Sequence, residues 1–281
     1  MNTLQAIALG IVQGFTEFIP VSSSGHLQLI PQIFGWEHPS TTFILFLHLG
    51  TLLALVLYFR ERIWRYLRVF FTWVKNKGRL EMHAQRADMH VIWRVIIAVI
   101  PAAVLGIIFD KVIGGFYDNP DNTLPTIVTI CAMAMFGVIF LFADKLFTGK
   151  KVSTEKLSIF KVLVIGFSQA LAFVRGVSRS GITLISGQAV GLNRVDAAEF
   201  SFLISIPIIT GTSLLAIKDF LELPGEQMQS ELLPSILGML AAFIAGYFAI
   251  RFLLDYLKHK GLALFGWYRI IFAIICVMLL A

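Results

Sequence analysis

Six stretches of the chain stay apolar long enough to cross a bilayer: roughly 43–59, 95–113, 124–146, 198–218, 232–256 and 262–280. A helix needs about 20 apolar residues to span a ~30 Å hydrocarbon core, so each of these predicts a transmembrane helix. Two more stretches, 3–34 and 158–192, are apolar at their ends but broken midway by polar clusters, Pro20-Val-Ser-Ser-Ser-Gly-His26 and Arg175-Gly-Val-Ser-Arg-Ser-Gly181. Non-helical backbone at membrane depth is tolerated only where protein or a wet cavity surrounds it. Both therefore predict re-entrant helical hairpins with polar loops near the midplane.

Charge orients the spans. Between the first and second lie Arg60, Arg62, Arg65, Arg68, Lys75, Lys77, Arg79, Arg86 and Arg94. Between the third and fourth lie Lys145, Lys150, Lys151, Lys156, Lys161 and Arg194, and before the sixth Lys258 and Lys260. The connection 114–123 carries only Asp118 and Asp121, and 219–231 only Asp219, Glu222, Glu226 and Glu231. Basic links lie on the cytoplasmic side. The alternation keeps its phase only if each broken stretch returns to the side it entered.

The two broken stretches are also copies of one another. Gly10-Ile-Val-Gln-Gly-Phe-Thr-Glu-Phe-Ile-Pro-Val-Ser-Ser-Ser-Gly25 aligns without a gap on Gly166-Phe-Ser-Gln-Ala-Leu-Ala-Phe-Val-Arg-Gly-Val-Ser-Arg-Ser-Gly181. Gln13 meets Gln169, and a Val-Ser-x-Ser-Gly ends both. An odd number of spans separates the copies, so the second must enter from the opposite face. The expected fold is all-α: one polytopic membrane domain, residues 1–281, built as an inverted-topology repeat. Residues 1–150 form the first repeat and 151–281 the second, each a re-entrant hairpin plus three transmembrane helices. In such folds the site lies near the midplane, where broken helices face one another.

Composition agrees. Of 281 residues, 57% are hydrophobic and 14% charged, against about 25% charged in soluble domains. That excludes an ordinary soluble enzyme, and equally a disordered chain. The net charge of +6 sits in the links between spans, so it implies membrane lipids and no nucleic acid. Cys131 and Cys276 fall inside apolar runs and read as small buried hydrophobes. Met1 to Phe18 has no basic n-region and contains Glu17, unlike a cleavable signal.

The chemistry concentrates in the two polar loops. The first offers Glu17, Ser22, Ser23, Ser24 and His26; the second offers Arg175, Gly176, Ser178, Arg179, Ser180 and Thr183. Charged groups at bilayer depth cost about 2.5–3.5 kcal/mol each on insertion scales, which favours function over packing. Arg179 supplies a planar donor fork suited to phosphate oxygens. Helices starting after Ser22 and Ser178 would aim free N–H groups at the same point. His26 has the chemistry of a nucleophile or general acid/base. Gln13 and Glu17, four apart, share a helix face and suit a hard cation held together with phosphate oxygens. Together these describe a phosphate-handling site in a membrane.

The segments Gln13-Gly-Phe-Thr-Glu17, Pro20-Val-Ser-Ser-Ser-Gly-His26 and Gly176-Val-Ser-Arg-Ser-Gly-Ile-Thr183 resemble the signatures of the BacA-type undecaprenyl-pyrophosphate phosphatases. The likeness runs along the whole chain, including Ala198-Glu-Phe-Ser-Phe-Leu203. It implies a bacterial inner-membrane enzyme, opening to the periplasmic face, that hydrolyses undecaprenyl diphosphate to the monophosphate and phosphate. Such an enzyme uses a divalent cation, Mg²⁺ or Ca²⁺, recycles the peptidoglycan lipid carrier and confers bacitracin resistance. Carried over, Glu17 and Gln13 are the metal and acid/base positions. Ser22, Ser23 and His26 line the nucleophile side, while Ser178, Arg179, Ser180 and Thr183 grip the diphosphate. One departure stands out: Arg175 occupies a family proline position, and either adds a phosphate contact or pairs with Glu17.

Some alternatives stay open. The attacking group is His26 or a serine, and a homodimer is one possible assembly. The rival function is a transporter or flippase of a polyprenyl phosphate lipid, since inverted repeats with broken helices also build carriers. Glu17 and His26 argue for hydrolysis. His48 reads as a bundle-facing hydrogen-bonding residue, and Asp196 and Glu199 as acids complementing a helix dipole.

Overall fold

The computed structural model describes residues 1–118, 123–147, 152–222 and 224–280. Asp121, Lys150 and Lys151 lie outside the described residues, as do the side chains of Asp118 and Asp219. Within the described residues eleven α-helices follow in order: α1 (Thr3–Phe18), α2 (Ser23–Phe34), α3 (Thr41–Tyr58), α4 (Arg60–Lys75), α5 (His83–Asp118), α6 (Leu124–Leu146), α7 (Ile159–Ser168), α8 (Arg179–Ala189), α9 (Arg194–Leu221), α10 (Gly225–His259) and α11 (Ala263–Leu280). Among the described residues there is no strand. Among the described residues six helices, α3, α5, α6, α9, α10 and α11, are long and apolar enough to cross a membrane. They are the six spans expected. The protein is a multi-pass, all-α membrane protein.

The broken stretches are helix pairs. α1 and α2 make the first; α7, its 3₁₀ extension Gln169–Phe173 and α8 make the second. Glycine seats them in the bundle. A Cβ on Gly10 would come within 2.3 Å of the Gly238 carbonyl oxygen on α10, and one on Gly166 within 2.8 Å of the Ala98 oxygen on α5. Gly14 and Gly50 approach α10 just as closely. Membrane helices lack a hydrophobic drive to associate, so such small-residue contacts carry the packing. Gly10 and Gly166 are aligned positions of the two copies, and they behave alike.

Two readings change. The basic link after the first span is itself a helix, α4. Its exposed Trp64, Leu67, Phe71 and Val74 recur at helical spacing beside Arg60, Arg68 and Lys75, the pattern of a helix lying in the interfacial plane. Cys131 is exposed on α6, not buried; Cys276 is buried, and both are free thiols. Between α8 and α9, Asp196 lies in the first helical turn as expected, and Asn193 caps the helix, accepting from the Asp196 N–H at 2.9 Å. Glu199 instead pairs with Arg62 of α4 at 2.7 Å.

Candidate active site

Pro20 restricts its predecessor to extended backbone, and Ile19 (φ −64°, ψ 131°) ends α1 there. The chain re-enters a helix through Ser22, and the second loop does so through Ser178. Both have φ 77°, the left-handed region that an ordinary side chain enters only at a cost of about 1–3 kcal/mol. Each hydroxyl accepts from the glycine N–H three residues on, Ser22 from Gly25 at 3.3 Å and Ser178 from Gly181 at 3.2 Å. The shared Val-Ser-x-Ser-Gly is thus a helix-capping device. A Cβ on Gly181 would lie 2.5 Å from the Phe140 ring, which explains the final glycine. Ser24 and Ser180 sit 3.4 and 3.2 Å from the capping hydroxyls.

One carboxylate organises what lies between the loops. Glu17, in the last turn of α1, is 7% exposed. Its Oε1 accepts from Arg179, the first residue of α8. Its Oε2 accepts from Ser23 Oγ at 2.8 Å and from Gln13 Nε2 at 3.1 Å. Gln13, Glu17, Ser23 and Arg179 are brought together as the motifs suggested.

His48 of α3 joins them. Its Nδ1 lies 2.8 Å from the Ile44 carbonyl oxygen; a carbonyl only accepts, so Nδ1 holds a proton. Nε2 then faces Glu17 Oε2 at 3.6 Å. A polar residue inside an apolar span was the available signal, but periodicity alone did not connect it to α1.

The other expected residues are placed elsewhere. His26 is 1% exposed, with Nδ1 2.8 Å from the Ser22 carbonyl and Nε2 2.7 Å from the Tyr268 hydroxyl of α11. The same proton argument makes Nδ1 a donor, leaving Nε2 to accept from Tyr268. The ring also stacks on Phe272, centroids 4.3 Å apart, so both nitrogens and one face are engaged away from Glu17. Thr183 donates back to Arg179 O at 2.7 Å and touches Ser201 of α9, tying α8 to its neighbour. Arg175 does not pair with Glu17: its guanidinium lies 4.4 Å over the Tyr117 ring, and its backbone N–H donates to the Tyr117 hydroxyl at 3.1 Å. Gly176 (φ 98°) turns the chain where a Cβ would lie 2.4 Å from Thr129 O.

Gln13 and Glu17 bear on a divalent cation. Gln13 Oε1 is buried with no hydrogen-bond partner. Turned over, the amide would present that oxygen on the side of Glu17 in place of Nε2, so Gln13 and Glu17 would together offer oxygens to a hard cation. The donor set, a carboxylate and an amide oxygen, fits such an ion. Among the described residues no three of His, Cys, Asp and Glu gather to hold a metal, so other oxygens would complete the shell.

Fold and site define a polytopic helical membrane protein with a charged, hydroxyl-bearing cluster at two helix breaks. Residues 6–275 match the family described as bacitracin resistance protein BacA, and the chain belongs to that family. It is similar to an undecaprenyl-diphosphatase of Moorella thermoacetica, 39% identical over 277 residues, covering 99% of this chain and 97% of the relative. Proteins of the same name from Pelotomaculum thermopropionicum and Pelobacter propionicus are 36% and 38% identical, covering 98% and 94% of those relatives.

Proposed function

We propose that this protein hydrolyses undecaprenyl diphosphate to undecaprenyl phosphate and inorganic phosphate, recycling a lipid carrier of peptidoglycan synthesis in the bacterial inner membrane. The observation that carries this reading is the Ser23–Glu17–Arg179 cluster, set at two helix breaks in a member of the BacA family. Arg179 grips the terminal phosphoryl oxygens, and the free N–H groups at the starts of α2 and α8 add positive ends. Glu17 Oε2 takes the Ser23 proton as Oγ attacks the terminal phosphorus. The bond from that phosphorus to the bridging oxygen breaks, and undecaprenyl phosphate leaves carrying the proton that Glu17 had taken, which returns the carboxylate to its basic form. Water activated by the same carboxylate then cleaves the phosphoserine, releasing phosphate and returning the proton to Ser23. His26 supports the loop from behind through Ser22, and the serine serves as nucleophile because its hydroxyl is the one aimed at a base.

Gln13 and Glu17 would hold a divalent cation, which when bound supplies neutralising charge for the diphosphate oxygens. The two aligned hairpins, with their matching caps and matching glycine contacts, support an inverted repeat of residues 1–150 and 151–281. The cluster then lies near the midplane, reached from the periplasmic face. Hydrolysis is favoured over translocation by the serine–carboxylate bond, which a carrier has no use for. Detergent-purified protein, with no membrane to cross, should release one phosphate per prenyl diphosphate in the presence of Mg²⁺ or Ca²⁺. Binding of the lipid with no release would favour a carrier.

A further inference from the structure

Arg269 of α11 is fully buried, at 0% exposure, and no carboxylate lies within ion-pair distance among the described residues. A buried charge without a counter-ion is costly, so its partners matter. They are three backbone carbonyls. Nε donates to Met133 O of α6 at 3.2 Å, Nη1 to Pro20 O at 3.4 Å, and Nη2 to Gly176 O. The guanidinium also lies 5.2 Å over the Phe140 ring and 6.0 Å over Phe136.

The choice of carbonyls is informative. In the gapless alignment of the two hairpins, Pro20 and Gly176 are the same position. One side chain thus bonds the corresponding oxygen of both helix breaks. Pro20 stands three residues after Glu17 and three before Ser23; Gly176 stands three before Arg179. Among the described residues neither oxygen accepts a backbone N–H in the turns where the loops leave their helices, and a buried carbonyl needs a partner. A planar fork with donors on separate nitrogens can hold two such loops at a fixed separation, which an ammonium cannot do.

We infer that Arg269 is a positioning residue that holds the two helix breaks in register, and through Pro20 and Gly176 sets Ser23 and Glu17 against Arg179. It does not touch the cluster itself. Its contribution to catalysis rests on the phosphatase reading above; its clamping of the loops does not.

The test uses the full-length protein in detergent with Arg269→Lys, which keeps the charge, and Phe140→Leu, which keeps the arginine but removes the ring beneath it. Hydrogen exchange is followed in peptides covering both loops, and kcat and KM for a prenyl diphosphate are measured on the same samples. In Arg269→Lys both loops should exchange at least about tenfold faster, and kcat should fall at least about tenfold with KM within about threefold of wild type. Phe140→Leu should show the same pattern at smaller amplitude. Faster exchange in one loop only, or in neither, overturns the clamp, as does unchanged kcat in Arg269→Lys. If the lysine variant does not accumulate, unchanged exchange in Phe140→Leu overturns it equally. Wild type that releases no phosphate while both loops loosen together would leave the clamp standing and sink the phosphatase reading instead.

Discussion

Glu17 and Arg179 stand 162 positions apart and meet as a hydrogen-bonded ion pair that joins the last turn of α1 to the first turn of α8. The pair closes the gap between two helix breaks. It also leaves the arginine poised beside the serine that the same carboxylate holds.

Removing the arginine should therefore be severe. Charged hydrogen bonds are worth roughly 1.5–3 kcal/mol each, and two of them to a phosphoryl group exceed the ~2.7 kcal/mol of a hundredfold rate change. Arg179→Ala should lose at least ~100-fold in kcat/KM for a prenyl diphosphate. Arg179→Lys should recover only part, because it cannot make the bidentate contact. Near-normal turnover in the alanine variant would place the diphosphate elsewhere.

Glu17→Gln keeps size but removes both the base and the partner of Arg179. Breaking a buried pair from one side costs about 3–5 kcal/mol, so the melting temperature should drop along with turnover. If the same carboxylate holds a cation, the residual activity should need more Mg²⁺ than wild type. A melt and a cation titration on one preparation read both effects. Unchanged cation dependence would remove Glu17 and Gln13 from the metal site.

His26 and His48 should trade the weights their sequence contexts suggest. His26 donates from Nδ1 to the Ser22 carbonyl, and an asparagine amide occupies much the same place. His26→Asn should stay within about tenfold of wild type, well above His26→Ala, if a hydrogen bond worth ~1 kcal/mol is what it supplies. Loss in His26→Asn as complete as in Ser23→Ala would make the imidazole a chemical participant. His48→Ala, which strips a neighbour from Glu17, should cost about five- to tenfold in kcat at the same scale, and no effect would mean the 3.6 Å approach is incidental.

Most of the fold was legible because a bilayer punishes unsatisfied backbone so heavily that apolar length alone marks a span. All six spans and both breaks follow from that rule. The Glu17–Ser23–Arg179 grouping was legible too, since polar residues at those breaks have few other uses. What periodicity could not supply was direction. His26 sits in the same motif as Ser23 but one turn on, so its ring faces α11 rather than α1. Thr183, likewise one turn past Arg179, faces α9. Arg175 stacks on Tyr117, a residue no local pattern links to it. Arg269 was hidden for a different reason: its partners are carbonyls, which every residue has.

Membrane sidedness can be measured directly. With Cys131 and Cys276 replaced, a cysteine introduced at Glu226 should react with an impermeant reagent from the periplasm, and one at Lys77 should not. Labelling at 77 from outside would break the charge alternation and with it the inverted repeat.

The most direct measurement of the central claim is single-turnover phosphate release from undecaprenyl diphosphate by detergent-purified wild-type and Ser23→Ala protein, in parallel with melting curves. Wild type should yield one phosphate and the lipid monophosphate, while Ser23→Ala, folded to the same melting temperature within a few degrees, should fall by at least ~1,000-fold, about 4 kcal/mol of lost barrier lowering. Turnover by Ser23→Ala at the wild-type rate would contradict the serine–carboxylate–arginine account outright.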